Sequence, residues 1–166
     1  MKRQILLAIF SLLCLGLFSQ NQVVLPKGYS VFVKTSDVVP STSKVKQMSA
    51  YVTSDVVVMG QTVIKEGTPV LIDVKARKAG FIGRPGKVEL KGISTTAIDG
   101  SVIDLTGSTL EKGEAHRGKS IGLTIGMFFV IPPFNFFFLL VKGDECNLNA
   151  RSFPLATKSE CTITIP

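Results

Sequence analysis

The sequence predicts a mainly β protein, a small barrel or sandwich of short antiparallel strands with one apolar hairpin insertion of helical character. Three observations predict it. Residues 23–106 are a succession of Val-, Ile- and Thr-rich runs punctuated by glycine turns. A strand, glycine turn, strand unit recurs: Val24-Leu25-Pro26-Lys27-Gly28-Tyr29-Ser30-Val31 resembles Val63-Ile64-Lys65-Glu66-Gly67-Thr68-Pro69-Val70, and 147–155 reads as a degraded third copy. Spaced hairpins of this kind suit a barrel or sandwich, where closure removes exposed edges. Finally, residues 121–141 (IGLTIGMFFVIPPFNFFFLLV) carry no charge and only two polar residues, Thr124 and Asn135.

In order, residues 1–19 read as a secretory signal. Lys2 and Arg3 form a positive start, 5–18 an apolar run, and Ser19 a small residue for cleavage. Bulky Leu13 ahead of Cys14 makes a poor acylation motif. Cleavage leaves about 147 residues (166 less 19), enough for one domain with a real core. Lys2 and Arg3 leave with the signal, so 19 basic residues against 12 acidic become 17 against 12 and the charge of +7 becomes about +5. That mild excess fits anionic lipid or sugar surfaces. Export, and the lack of an aromatic-basic recognition motif, argue against nucleic acid as a partner.

Residues 20–106 form the β-domain. Leu25-Pro26-Lys27-Gly28 is a turn with proline second and glycine fourth. Residues 29–35 follow as a strand and 37–46 as a polar loop. Gly60-Gln61 turns the run 55–59 back into 62–64, and Lys65-Glu66-Gly67 turns again into 68–79. There Val70, Ile72, Val74 and Ala76 face one way while Leu71, Asp73, Lys75 and Arg77 face the other, a half-buried strand. In 87–97, Val88 and Leu90 point inward and Gly92 marks a bulge. Asp99-Gly100 makes a hairpin turn into 101–106.

Residues 107–120 (GSTLEKGEAHRGKS) read as a charged, glycine-rich linker leading into the apolar hairpin at 121–141. The 21-residue stretch could span a bilayer core of roughly 30 Å as one helix. Pro132-Pro133 argues instead for two limbs joined by a turn, because proline lacks an N–H and displaces its predecessor from the α region. Gly122 and Gly126, four apart, allow close approach of another helix on the first limb. Phe128, Phe129, Phe134, Phe136, Phe137 and Phe138 supply apolar surface, at roughly 150–250 Å² per aromatic side chain. The alternation of Phe134, Phe136 and Phe138 also suits a strand, so helical and extended limbs both stand. Residues 142–166 complete the β-domain with terminal strands. Cys146 and Cys161 remain after cleavage, and an even count in an oxidising compartment allows a disulfide between them, with two buried free thiols as the other reading.

Chemistry-bearing patterns are sparse. The single histidine, His116, lies in the linker without a ligand set or triad partners in the sequence. The carboxylates are scattered, no phosphate-cradling loop occurs, and no metal or cofactor is expected. The distinctive loop is 77–87 (RKAGFIGRPGK), where Arg77, Lys78, Arg84 and Lys87 surround three glycines and a proline. It reads either as a basic tip for lipid, glycan or a partner chain, or as a long hairpin connection kept soluble by charge.

Ile64 to Pro69 (IKEGTP), Lys78 to Leu90 (KAGFIGRPGKVEL), Asp99-Gly100 and the Gly-Lys run into the apolar segment together resemble a family of small exported proteins of Bacteroidota and other Gram-negative bacteria. The likeness covers roughly 23–142. The unit is also distantly similar to the outer-membrane core barrel of type IV secretion and conjugation systems. That resemblance implies a β-barrel with a helical antenna in the outer membrane, although Lys65-Glu66 stands where the pattern has Pro-Lys before the glycine.

The expected function is therefore non-enzymatic: an exported, periplasmic β-domain that associates with a membrane, the outer one by preference, or with like subunits or another envelope protein through 121–141. The alternative is a soluble periplasmic binding or adaptor domain with the hairpin packed on its own core.

Overall fold

The computed structural model describes residues 21–116 and 140–165. The signal segment lies outside them, as does the apolar hairpin except for Leu140 and Val141. Thirteen strands are described. They are β1 (Asn21–Leu25), β2 (Ser30–Thr35), β3 (Val39–Pro40), β4 (Gln47–Val52), β5 (Val56–Val58), β6 (Gln61–Ile64) and β7 (Pro69–Arg77). After them come β8 (Lys87–Thr96), β9 (Val102–Thr106), β10 (Ser108–Lys112), β11 (Asn147–Leu148), β12 (Ser152–Thr157) and β13 (Cys161–Ile165).

Six strands close an antiparallel barrel in the order β8-β7-β4-β2-β12-β9, with β9 pairing back onto β8. Alternation dictates its inside. Val31, Val33 and Thr35 of β2, Val70, Ile72 and Val74 of β7, and Ile103 and Leu105 of β9 are all buried. Val88 and Leu90 of β8 and Phe153 and Leu155 of β12 join them. Branched side chains of this kind fill a small barrel, so its interior is packed core. The polar members are bonded: Thr95 Oγ1 donates to the Pro69 carbonyl at 3.0 Å and Thr157 Oγ1 to the Pro26 carbonyl at 2.7 Å.

Between Leu71 and Ile72 the β7–β8 register slips from Ser94 to Gly92, which places the bulge beside the expected glycine. A Cβ on Gly92 would lie 2.5 Å from Leu155 Cδ1, so this large core residue occupies the space that glycine leaves. Opposite, the Gly92 N–H donates to the Gly107 carbonyl at 3.2 Å, where β9 gives way to β10. Residues 108–112, read from sequence as linker, are thus a correction: they form β10 and extend the β8 ladder from Lys91 to Lys87.

Turn chemistry also corrects the sequence reading by one residue in places. Gly28 and Gly67 stand at φ 83° and 79°, each the third turn residue, which for Gly28 replaces the fourth place read from sequence. A left-handed third position is what a type II turn requires, and glycine meets it without steric cost. The β5–β6 hairpin turns on Met59-Gly60, both at positive φ, rather than on Gly60-Gln61. At 97–101, Gly100 alone is left-handed; its N–H donates to the Ala97 carbonyl while Ser101's carbonyl accepts from Ala97, a three-residue loop with a glycine bulge.

The internal repeat is structural. Gly28 N–H donates to the Thr157 carbonyl at 2.9 Å, and Thr157 N–H to the Tyr29 carbonyl at 3.0 Å. Gly67 N–H donates to the Val52 carbonyl at 2.9 Å, and Val52 N–H to the Thr68 carbonyl at 3.0 Å. Each turn docks on the last residue of the neighbouring barrel strand. The degraded third copy retains half of this, with Thr35 N–H donating to the Arg151 carbonyl at 3.4 Å. In each copy two short arms pair as a small sheet beyond the barrel: β1 with β13, β5 with β6, and β3 with β11. Strand directions put the first two at one end. The β3–β11 sheet, the β7–β8 loop and residues 113–116 and 140–146 gather at the other.

Candidate functional site

With the barrel interior filled, the loops at the β3–β11 end offer the most chemistry. The loop 78–86 is laid between the two segments that flank the apolar stretch. Gly83 is the pivot: its N–H donates to the Val141 carbonyl at 2.8 Å, and its carbonyl accepts from the His116 N–H at 3.1 Å. Gly86 repeats the pattern, donating to the Asp144 carbonyl at 2.9 Å and accepting from Gly113 N–H at 3.0 Å. Gly143 N–H donates to the Gly80 carbonyl at 3.2 Å, and Asp144 N–H to the Glu114 carbonyl at 3.3 Å.

Three backbones this close leave no room for side chains. A Cβ on Gly143 would collide with the Arg84 carbonyl, and one on Gly113 with the carbonyl of Asp144. The glycines are required by approach rather than by turn geometry. Positions 116 and 141 are thereby held by one residue, so the intervening chain begins and ends at the same point of the rim.

Side chains reinforce this neck. Glu145 accepts from the Ser41 hydroxyl and from the Ala79 N–H at 3.2 Å, while Ser41 Oγ accepts from the Cys146 N–H at 3.2 Å. The Ser41 hydroxyl, then the Ala79 N–H, hold the Glu145 carboxyl below its usual value, and the charges of Lys78 and Lys142 act in the same direction. Lys142 Nζ sits 5.7 Å from the centroid of the Phe81 ring, a cation–π distance.

The four basic loop residues are dispersed. Arg77 ends β7, Lys78 and Arg84 are exposed, and Lys87 opens β8 in an ion pair with Glu89 at 3.0 Å. Lys87 therefore belongs to the strand surface. Sequence reasoning missed what surrounds His116. Its Nε2 lies 3.1 Å from Asp144 Oδ2, and the ligand atoms of Glu114, His116 and Asp144 lie within 4.8 Å of one another. One nitrogen and two carboxylates can ligate a divalent cation, and the His116–Asp144 hydrogen bond equally accounts for the arrangement. Asp144 is 28 positions from His116, so spacing in the sequence gave no sign of it.

Gly122, Gly126, Phe128, Phe129, Pro132, Pro133, Phe134, Phe136, Phe137 and Phe138 lie outside the described residues. Cys146 and Cys161 are free thiols, a correction to the disulfide expectation. Cys146 is buried at the neck, its Sγ 3.7 Å from the Glu111 carbonyl, and burial pushes its thiol up. Cys161 opens β13, paired with Leu25 in the small sheet at the other end of the barrel.

An open groove of about 450 Å³ runs along the barrel wall, lined by Lys34, Tyr51, Thr53, Glu66 and Ser152 among others. Among the described residues no helix is long and apolar enough to cross a membrane. No family model matches the chain, and no curated protein matches it.

Proposed function

We propose that this chain is a non-enzymatic cell-envelope protein whose β-barrel carries the apolar segment 121–141 and presents it, as a hairpin, to a membrane or to like subunits. The observation that carries the reading is the double engagement of Gly83 by His116 and Val141. Residues 116 and 141, which flank the segment, meet at one residue, and this supports an out-and-back path over a single crossing, in agreement with the Pro132-Pro133 pair near its middle. The barrel supplies a rigid base, since backbone bonds and filled core fix the neck. Hydrogen bonds at the neck tie loop to loop, which suits a mechanical role.

The resemblance of 23–142 to small exported Gram-negative proteins, and the distant similarity of its strand-turn-strand unit and apolar stretch to outer-membrane core barrels, support a periplasmic barrel and a helical hairpin in the outer membrane. Chromatography of the full mature chain without detergent tests the reading. Loss from solution in the absence of detergent or elution as an assembly is expected; a soluble monomer with the segment intact overturns it in favour of an adaptor with the hairpin packed on its own core.

A further inference from the structure

We infer that the tip of the β7–β8 loop, Phe81-Ile82, is a second membrane contact that seats the neck end of the barrel on an anionic lipid surface. The inference rests on the proposed membrane reading and adds a site outside the apolar segment. Phe81 is 57% exposed and Ile82 46% exposed, while the glycine that follows them, Gly83, is buried in the neck. Leu140, 54% exposed, stands one residue beyond the Gly83–Val141 bond on the same rim. Three large apolar side chains are thus exposed on the rim where residues 116 and 141 meet at Gly83.

Charge complementarity names the occupant. Lys78, Arg84 and Lys142 are exposed around the tip. Lys142, poised over Phe81, keeps an ammonium beside an apolar ring, the pairing that headgroup depth favours. Juxtamembrane cations gain from an anionic surface, and buried aromatic area gains from the acyl boundary beneath it. Ile82 adds a conformational signature. It is β-branched yet held at φ 59°, a region such residues rarely adopt, and the neck bonds on both sides keep it there.

The chain has no tryptophan, so Phe81→Trp in the full-length protein is a single reporter. It is mixed with vesicles of phosphatidylcholine and phosphatidylglycerol, with and without brominated acyl chains. Expected are co-sedimentation, a blue-shifted emission and quenching by bromine, all stronger as the anionic fraction rises. Co-sedimentation with unshifted, unquenched emission overturns this inference and leaves the hairpin reading standing. Failure to sediment overturns this inference together with the membrane form of the proposed function. Equal quenching on purely zwitterionic vesicles overturns the anionic specificity. A second variant, Ile82→Gly, relieves the left-handed backbone while removing the side chain. It is expected to fold at least as well as wild type and to bind vesicles about tenfold more weakly; unchanged binding contradicts the inference.

Discussion

The Gly83 N–H donates to the Val141 carbonyl at 2.8 Å, and through its own carbonyl the same residue holds His116. This joins residues 116 and 141, on either side of the apolar stretch, to one loop, and several consequences can be measured.

The neck glycines should tolerate no side chain. Gly113→Ala and Gly143→Ala each set a methyl group against a backbone carbonyl, at Asp144 and Arg84 respectively. Each should cost about 2 kcal/mol in urea unfolding. Gly80→Ala is the control. Its nearest neighbour would be Arg84 Cδ at 3.5 Å, ordinary contact, and its change should stay within about 0.5 kcal/mol. Equal behaviour of the three variants would remove close approach as the reason for glycine at this end.

Gly92 and Leu155 should be energetically coupled. Gly92→Ala forces a methyl group to 2.5 Å from Leu155 Cδ1, and Leu155→Ala alone opens a cavity costing about 2–5 kcal/mol. In the double variant the added methyl enters the vacated space, so the combined loss should fall short of the sum by about 1 kcal/mol or more. Strict additivity in a double-mutant cycle would place Leu155 elsewhere.

Much of this barrel could be read before any coordinates. Alternation placed Val70, Ile72 and Val74 inward, and the glycine turns exposed the repeat. What stayed hidden has a physical cause in each case. In β10 the pattern runs against its burial: Leu110 is exposed while Thr109 and Glu111 are the half-buried positions, so the charges and glycines of 107–120 read as linker. The neck depends on pairings between loops near 83, 114 and 143, and only a folded barrel brings these together. His116 looked alone for the same reason.

Acid should weaken the neck. The Glu145 carboxyl is held below its usual value by Ser41, then Ala79. A carboxyl depressed in the folded state contributes stability that is present above the unfolded value, near 4.5, and is lost as pH falls through the lower folded value. Wild type should therefore exceed Glu145→Gln in stability at pH 7, with the gap closing as pH drops below 4.5. A gap that persists undiminished through acid unfolding titrations would deny the carboxylate this part.

Cys146 and Cys161 should both alkylate without reductant once the chain is denatured. In the native state Cys161, half-buried, should react ahead of Cys146, which is buried at the neck with its thiol pushed up. Intact mass spectrometry reads both results. Resistance of the two thiols to labelling in denaturant would mean a bridge the fold does not contain.

In the proposed function the barrel holds the apolar segment at a membrane or in an assembly of like subunits. The most direct measurement is fractionation of cells with an alkaline carbonate wash, comparing the full chain with a version in which 119–139 is replaced by a short Gly-Ser linker. Because 116 and 141 meet at Gly83, such a linker closes the gap without disturbing the barrel. The full chain is expected in the washed membrane pellet and the linker version folded and soluble. Finding the full chain in the soluble fraction as a monomer would contradict it.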